Sequence, residues 1–160
     1  MNYTPRLQQM LALARHAALR EDSNVEPHHL LFAIVRLRQG VAWSVLEKHY
    51  RINAANIITE VRELFELANQ KSIAEIGFSQ NAVDTMVVAA QEQRAVFEGC
   101  SYIGTEHVLL ALAKNPAVFV EEYFRDLHLQ YGDEIKAFIR EVKPTKTETD
   151  YNPLSGNIGP

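Results

Sequence analysis

The sequence lacks the features that mark secreted, membrane-spanning or disulfide-stabilised proteins. Its 160 residues include a single cysteine, Cys100, so no disulfide can form within the chain, and this suits a reducing compartment. No run approaches the roughly 18 apolar residues that a membrane-spanning helix needs. The first residues also lack the basic and apolar segments of a secretory signal. These absences predict a soluble, cytoplasmic protein that has no membrane partner.

The sequence also lacks an excess of positive charge, and it lacks the known motifs for nucleotide binding, metal binding and hydrolysis. The formal net charge is −4, which argues against nucleic acid as a partner because nonspecific binding needs clustered Lys and Arg. No Gly-x-x-x-x-Gly-Lys-Ser/Thr phosphate loop, His-Glu-x-x-His box or nucleophile elbow occurs. We therefore expect no enzyme activity, no cofactor and no metal. A small metal-dependent hydrolase that uses the histidines is an alternative, which metal analysis would test.

What the sequence does contain is one phrase used twice. Glu26-Pro-His-His-Leu-Leu-Phe-Ala-Ile34 resembles Gly104-Thr-Glu-His-Val-Leu-Leu-Ala-Leu112, and His107 follows His29 by 78 positions. A second pair lies upstream of each phrase, because Tyr3-Thr4-Pro5-Arg6 resembles Phe78-Ser79-Gln80-Asn81 with an offset of 75. Such self-similarity predicts one helical unit used twice.

Hydrophobic periodicity predicts an all-α fold of two pseudo-repeated four-helix units packed into one domain over residues 1–142. Repeat one covers residues 3–68 and repeat two covers residues 78–142. In repeat one, Thr4 caps a helix to about residue 20, Pro27 begins a helix that Gly40 ends, and further helices cover about 41–50 and 53–68. In repeat two, helices are expected to begin after Ser79, after Thr105 as N-cap, at 116 and at 133. Residues 143–160 contain three prolines, two glycines and no apolar face, which is typical of a flexible linker or tail.

The duplicated phrases resemble the double Clp N-terminal motif, which forms the N-terminal domain of the Clp family of AAA+ protein unfoldases. The resemblance covers about residues 3–142; the phrase at 102–110 is similar to the ClpC type and that at 26–30 is nearer the ClpB type. It implies a noncatalytic module that docks adaptor proteins and unfolded or tagged substrates for an AAA+ ring, present in cis or in trans. A free-standing accessory subunit that docks on a Clp protease or ring is the alternative, and the reading frame past Pro160 would discriminate the two.

The resemblance also implies site residues. In ClpC-like relatives the glutamate that matches Glu106 engages the guanidinium of phosphorylated arginine, which suits a carboxylate because two parallel charge-assisted hydrogen bonds can form. His28 stands at the matching position of the first repeat and lacks paired acceptor oxygens, which places a first phosphoarginine site in doubt. Thr4 and Ser79 could offer hydroxyls and helix N–H groups to a phosphate, although ordinary helix capping also explains them, as helix-end electrostatics explains Glu106.

The remaining candidate residues are expected to pack in the core or to line a groove. His29 and His107 are expected to be hydrogen-bonded structural histidines just ahead of leucine pairs. The stripes on the first helix of each unit are expected to be mostly core, while part of them could line a peptide-binding groove between the units. The stripes comprise Leu7, Met10, Leu11, Ala14 and Ala82, Met86, Ala89, Ala90, and candidate rim aromatics are Trp43, Tyr50, Phe97 and Tyr102.

Overall fold

The computed structural model describes residues 3–50, 52, 75–96, 102–120, 124–125 and 127–151. The helices, in chain order, are α1 (Pro5–Arg20), α2 (Pro27–Leu37), α3 (Val41–Val45), which a π-helical turn (Leu46–Tyr50) continues, α4 (Gln80–Val96), α5 (Thr105–Ala113), a 3-10 helix (Pro116–Val120) and α6 (Asp133–Tyr151). Over these ranges the chain forms helices without strands, which confirms the all-α prediction. The predicted helix over 53–68 lies outside the described residues.

The starts of the helices in the first unit agree with the local sequence. Thr4 caps α1, since its Oγ1 accepts a hydrogen bond from the Leu7 amide at 3.1 Å, and Pro5 occupies the first turn, where an amide hydrogen is not needed. α2 begins at Pro27 with Glu26 as its N-cap. It ends earlier than predicted, because Arg38 takes the left-handed conformation, and Gly40, with φ 98°, precedes α3 instead of ending α2.

The second unit repeats this order with one departure from prediction, at the start of α5. Ser79 Oγ accepts from the Ala82 amide at 3.1 Å and so caps α4 as expected. Thr105, predicted to cap α5, is instead its first helical residue, and Gly104 is the N-cap. The Thr105 hydroxyl is used elsewhere: it accepts a hydrogen bond from the Ala42 amide at 3.1 Å, at the start of α3.

The last helix also differs from prediction, because α6 passes the expected end at Val142 and continues to Tyr151. It includes Pro144, which lacks the amide hydrogen of an ordinary helix residue and so removes one backbone bond. The following segment contains Lys146 and Glu148, which favour helix, and no glycine before Tyr151. Residues 143–151 of the predicted tail are therefore helical, and 152–160 lie outside the described residues.

Each unit is built on a pair of adjacent helices, α1 with α2 and α4 with α5, and the two pairs share one core. Its members are apolar side chains from both units, each worth about 1.5–3 kcal/mol when buried. Those below 2% exposure with the largest volumes are Phe124, Leu7, Met10, Leu30, Leu31, Ile34, Leu46, Ile103, Leu109, Leu110, Leu112 and Ile135. α6 packs against α1 and α3, which ties the end of the described chain to repeat one.

The two units exchange backbone hydrogen bonds at equivalent positions. The Thr4 amide donates to the Ile103 carbonyl at 2.9 Å, and the Ser79 amide donates to the Val25 carbonyl at 2.9 Å. Ser79 follows Thr4 by 75 positions and Ile103 follows Val25 by 78, which are the offsets found in the sequence. The first helix of each unit thus begins beside the second helix of the other unit.

Candidate functional site

The two duplicated histidines have the same structural role. His29 Nδ1 accepts a hydrogen bond from the Glu26 amide at 2.8 Å, and His107 Nδ1 accepts one from the Gly104 amide at 2.8 Å. Each ring therefore satisfies a backbone donor that the start of a helix leaves without an intrahelical acceptor. Both side chains are fully buried, which confirms the prediction of hydrogen-bonded structural histidines.

His28, the sequence candidate in repeat one, lies beside Glu21. Its Nε2 is 3.3 Å from Glu21 Oε1, which is 2.5 Å from His29 Nε2. Hydrogen bonds from His28 and His29 hold the pKa of the Glu21 carboxyl well below its usual range, although burial opposes the shift. The trio links the end of α1 to the start of α2.

Glu21, His28 and His29 also bring three potential metal-ligand atoms within 4.8 Å of one another. The geometry of His29 does not suit a metal. Its Nδ1 accepts from a backbone amide, so the neutral ring carries its hydrogen on Nε2 and donates it to Glu21. A metal on Nε2 would displace that hydrogen and leave the ring as an imidazolate, or break the helix-capping bond. The trio fits a hydrogen-bonded clamp better than a metal centre.

Glu106, the foremost ligand candidate in the sequence, is fully buried at the start of α5. Thr105 beside it is 1% exposed and bonds to Ala42, and Thr4 is 0% exposed and caps α1. A guanidinium from solvent therefore has no exposed Glu106 carboxylate to meet in this conformation. Glu106 is buried because α3 packs against the start of α5, and the local sequence does not indicate this long-range contact.

An accessible carboxylate lies instead in repeat one, at Glu26. Ser79 Oγ donates a short hydrogen bond to Glu26 Oε1, across the junction of the two units. Glu26 and His28 line a cavity of about 390 Å³ together with Asn81 and Asn115, and we call it the Glu26 cavity. His28 lines this cavity, and Ser79 bonds to its Glu26. Thr4, Thr105 and Glu106 lie instead where the start of α1 meets the start of α5. Sequence reasoning missed Glu26 because that residue occupies the N-cap position, two before the expected one.

A groove of about 490 Å³ lies between α1 and α4. Its walls are mostly apolar, and Arg15 and Arg94 add two cations; the lining residues are Tyr3, Leu11, Arg15, Phe78, Val83, Met86, Val87, Ala90 and Arg94. Val83 and Val87 are 41% and 51% exposed, and they are the exposed large hydrophobic residues of the described chain. We call this surface the α1–α4 groove.

The groove agrees in part with the sequence prediction. Leu11, Met86 and Ala90 line it, while the other members of the two stripes are buried in the core: Leu7, Met10, Ala14, Ala82 and Ala89. Of the candidate rim aromatics, Trp43 is buried and Tyr50 and Tyr102 are half-buried; none of the three lines the groove, and Phe97 lies outside the described residues. The aromatic residues that do line it are Tyr3 and Phe78, at equivalent positions of the two units.

Comparison with known proteins identifies the architecture. Residues 2–127 match the family described as the Clp repeat (R) N-terminal domain, which is most of the chain. The chain belongs to this family. This Clp N-terminal domain is 29% identical over 127 residues to the protein named "ATP-dependent Clp protease ATP-binding subunit ClpC" in Staphylococcus aureus strain USA300. It is 28% identical over 127 residues to the protein of the same name in Staphylococcus saprophyticus.

The match covers most of this chain but only a small part of each relative. In both cases the aligned region is 79% of this chain and 15% of the relative, so the chain spans only a small part of the length of these curated relatives. Within the described ranges no helix is both long and apolar enough to cross a membrane. The family match over residues 2–127 confirms the resemblance that the duplicated phrases indicated.

Proposed function

We propose that this Clp N-terminal domain is a noncatalytic recognition module that docks adaptor proteins and unfolded substrate segments for a Clp-type AAA+ unfoldase. The observation that carries the proposal is the α1–α4 groove, where Val83 and Val87 are exposed, whereas the other large hydrophobic side chains of the described residues are buried or half-buried. Exposed apolar surface of this kind is typical of interaction sites. Its place on the pseudo-symmetric seam also gives an extended peptide two similar walls.

The charges in the groove indicate the composition of the bound segment. Arg15 and Arg94 line it, with the Arg15 guanidinium 5.1 Å from the centre of the Phe78 ring. The lining includes no Asp or Glu. We therefore expect an extended segment whose apolar side chains cover Val83 and Val87 and whose acidic residues pair with the two arginines.

Val87→Glu tests the groove. It adds a carboxylate at a 51% exposed position, so the fold should be preserved, while desolvating that charge should weaken the binding of a labelled unfolded model substrate about tenfold. Gln91→Glu is the matched control, because it adds the same group to an exposed position of α4 outside the groove lining. Equal substrate affinity of the two variants, measured by fluorescence anisotropy, would remove the groove from the proposal.

A second candidate ligand is phosphoarginine, which the Glu26 cavity supports. Its carboxylate and the two asparagines, Asn81 and Asn115, offer acceptors and donors that suit a guanidinium and its phosphate. We expect Glu26→Gln to weaken the binding of a phosphoarginine peptide more than Glu106→Gln does, since Glu106 is buried. Calorimetric titration with arginine and phosphoarginine peptides measures both. If only the Glu106 variant loses binding, the site belongs at the start of α5 and requires that end to open.

The ring that receives the substrate is also part of the proposal. The relatives named above are ATP-binding subunits of an ATP-dependent protease, and we infer that this domain serves such a ring, in cis or in trans. A free-standing accessory role uses the same groove, so the two versions differ in assembly and not in recognition. Co-sedimentation of the domain with a Clp ring whose own N-terminal domains have been removed tests the version in trans.

A further inference from the structure

A separate cavity of about 570 Å³ lies where α2 gives way to α3, beside the first turn of α1. Its lining includes Arg6, Arg38, Gln39, Trp43, Ser44 and Glu47, and we call it the Arg38 cavity. The cavity shares no lining residue with the α1–α4 groove or with the Glu26 cavity. Its volume is within the range of protein ligand sites.

Arg38 holds an unusual backbone conformation in this cavity. With φ 55° and ψ 31° it occupies the left-handed region, which glycine adopts freely and which is strained for a side chain such as arginine. Its guanidinium lies 5.7 Å from the centre of the Trp43 ring, a cation–π arrangement. An exposed arginine is thus held over a buried tryptophan at a position where glycine would cost less.

Arg6 adds a second positive charge to the wall. Only 8% of the residue is exposed, and its Nη1 donates to Gln9 Oε1 at 3.0 Å, which fixes the side chain against α1. Two guanidinium groups therefore border one cavity, against a single carboxylate, that of the exposed Glu47. Guanidinium groups bind carboxylates through two parallel hydrogen bonds.

The duplication shows that these cations are particular to one unit. The linings of the Arg38 and Glu26 cavities include two equivalent pairs of positions, because Asn81 follows Arg6 by 75 positions and Ala117 follows Gln39 by 78. The Glu26 cavity has no arginine or lysine in its lining and contains a carboxylate and a histidine instead. The shared fold therefore does not require positive charge here, and the two cavities have opposite chemistry.

We propose that the Arg38 cavity binds the acidic side chains of a partner polypeptide segment. The cavity is far larger than one inorganic anion, and Gln39 and Ser44 place an amide and a hydroxyl beside the two guanidinium groups, as a peptide ligand needs. Glu47 opposes binding by repulsion, whereas the two guanidinium groups can pair with two carboxylates of one ligand. This surface is distinct from the α1–α4 groove, so either proposal can fail while the other stands.

Trp43 is the only tryptophan of the chain and lines the cavity, so all tryptophan fluorescence of the protein comes from a residue at this site. The intact 160-residue chain is titrated with an acetylated hexaglutamate peptide, with its hexaglutamine counterpart and with inorganic phosphate, all at one ionic strength. We expect a saturable change with hexaglutamate only. No saturable change with hexaglutamate, or phosphate binding as tightly as hexaglutamate, would overturn the proposal.

Three variants separate binding from folding. Arg38→Gly relieves the left-handed strain, so its melting temperature should stay the same or rise while its affinity for hexaglutamate falls about tenfold, measured by calorimetry because the change also alters the surroundings of Trp43. Glu47→Gln should tighten binding about twofold to threefold. Gln91→Glu, at an exposed position outside the linings of both the Arg38 cavity and the α1–α4 groove, should leave hexaglutamate affinity unchanged. An unchanged affinity in Arg38→Gly would contradict the proposal, as would weaker binding in Glu47→Gln.

Discussion

His107 offers the sharpest test of how the duplicated phrase stabilises the fold. The side chain is fully buried, and its Nδ1 accepts the Gly104 amide hydrogen at 2.8 Å. Asparagine has an acceptor oxygen the same number of bonds from the backbone, whereas leucine has the bulk without an acceptor. Both His107→Asn and His107→Leu lose whatever the other ring nitrogen contributes. The two variants therefore differ in whether the Gly104 amide keeps an acceptor.

The size of that difference follows from the burial of the donor. A buried amide hydrogen left without an acceptor costs about 1–3 kcal/mol. We expect His107→Leu to be less stable than His107→Asn by about 2 kcal/mol, which for a domain of this size lowers the melting temperature by about 4–8 °C. Urea unfolding followed by circular dichroism gives the free energy directly. If the leucine variant equals or exceeds the asparagine variant in stability, the histidine acts by packing and the capping argument is refuted.

Three further predictions concern stability. Thr4→Ala should lower the free energy of unfolding by about 1 kcal/mol because the Leu7 amide loses its cap, and Thr4→Ser should retain most of it, as urea titrations of both would show. Glu21 has a folded-state pKa below its ordinary value, so its stabilisation is present above pH 4.5 and is lost as the pH falls toward that lower pKa; the advantage of wild type over Glu21→Gln should therefore shrink on acidification, and an advantage that grows would contradict the assignment. Leu109→Ala should cost about 2–5 kcal/mol, since Leu109 is fully buried in the shared core; a loss below 1 kcal/mol in chemical unfolding would place it outside the core.

The parts of the fold that sequence reasoning predicted depend on short-range chemistry. Thr4 and Ser79 cap the helices that follow them, Pro27 begins α2, and His29 and His107 bond within three residues of their own positions. In each case the side chain and its partner are neighbours in the chain. Period and spacing are therefore enough to predict the contact.

The parts that it missed depend on contacts between distant segments. The Thr105 hydroxyl bonds to Ala42, 63 positions away, so Gly104 caps α5 in its place. Glu106 is buried, which spacing alone could not reveal. The position of Arg38 in the left-handed region likewise conflicts with its local preference, and no pattern in the sequence indicates it.

The exchange of hydrogen bonds between the units limits how the domain can be divided. Thr4, which begins α1, donates to Ile103 of the other unit, and Ser79, which begins α4, donates to Val25. Either unit alone would expose one partner of each bond and half of the shared core, since Leu109 and Leu30 belong to one cluster. We therefore expect the two units to fold together. The groove between α1 and α4 needs both first helices, so the recognition that we propose for it requires the intact domain and not a single repeat.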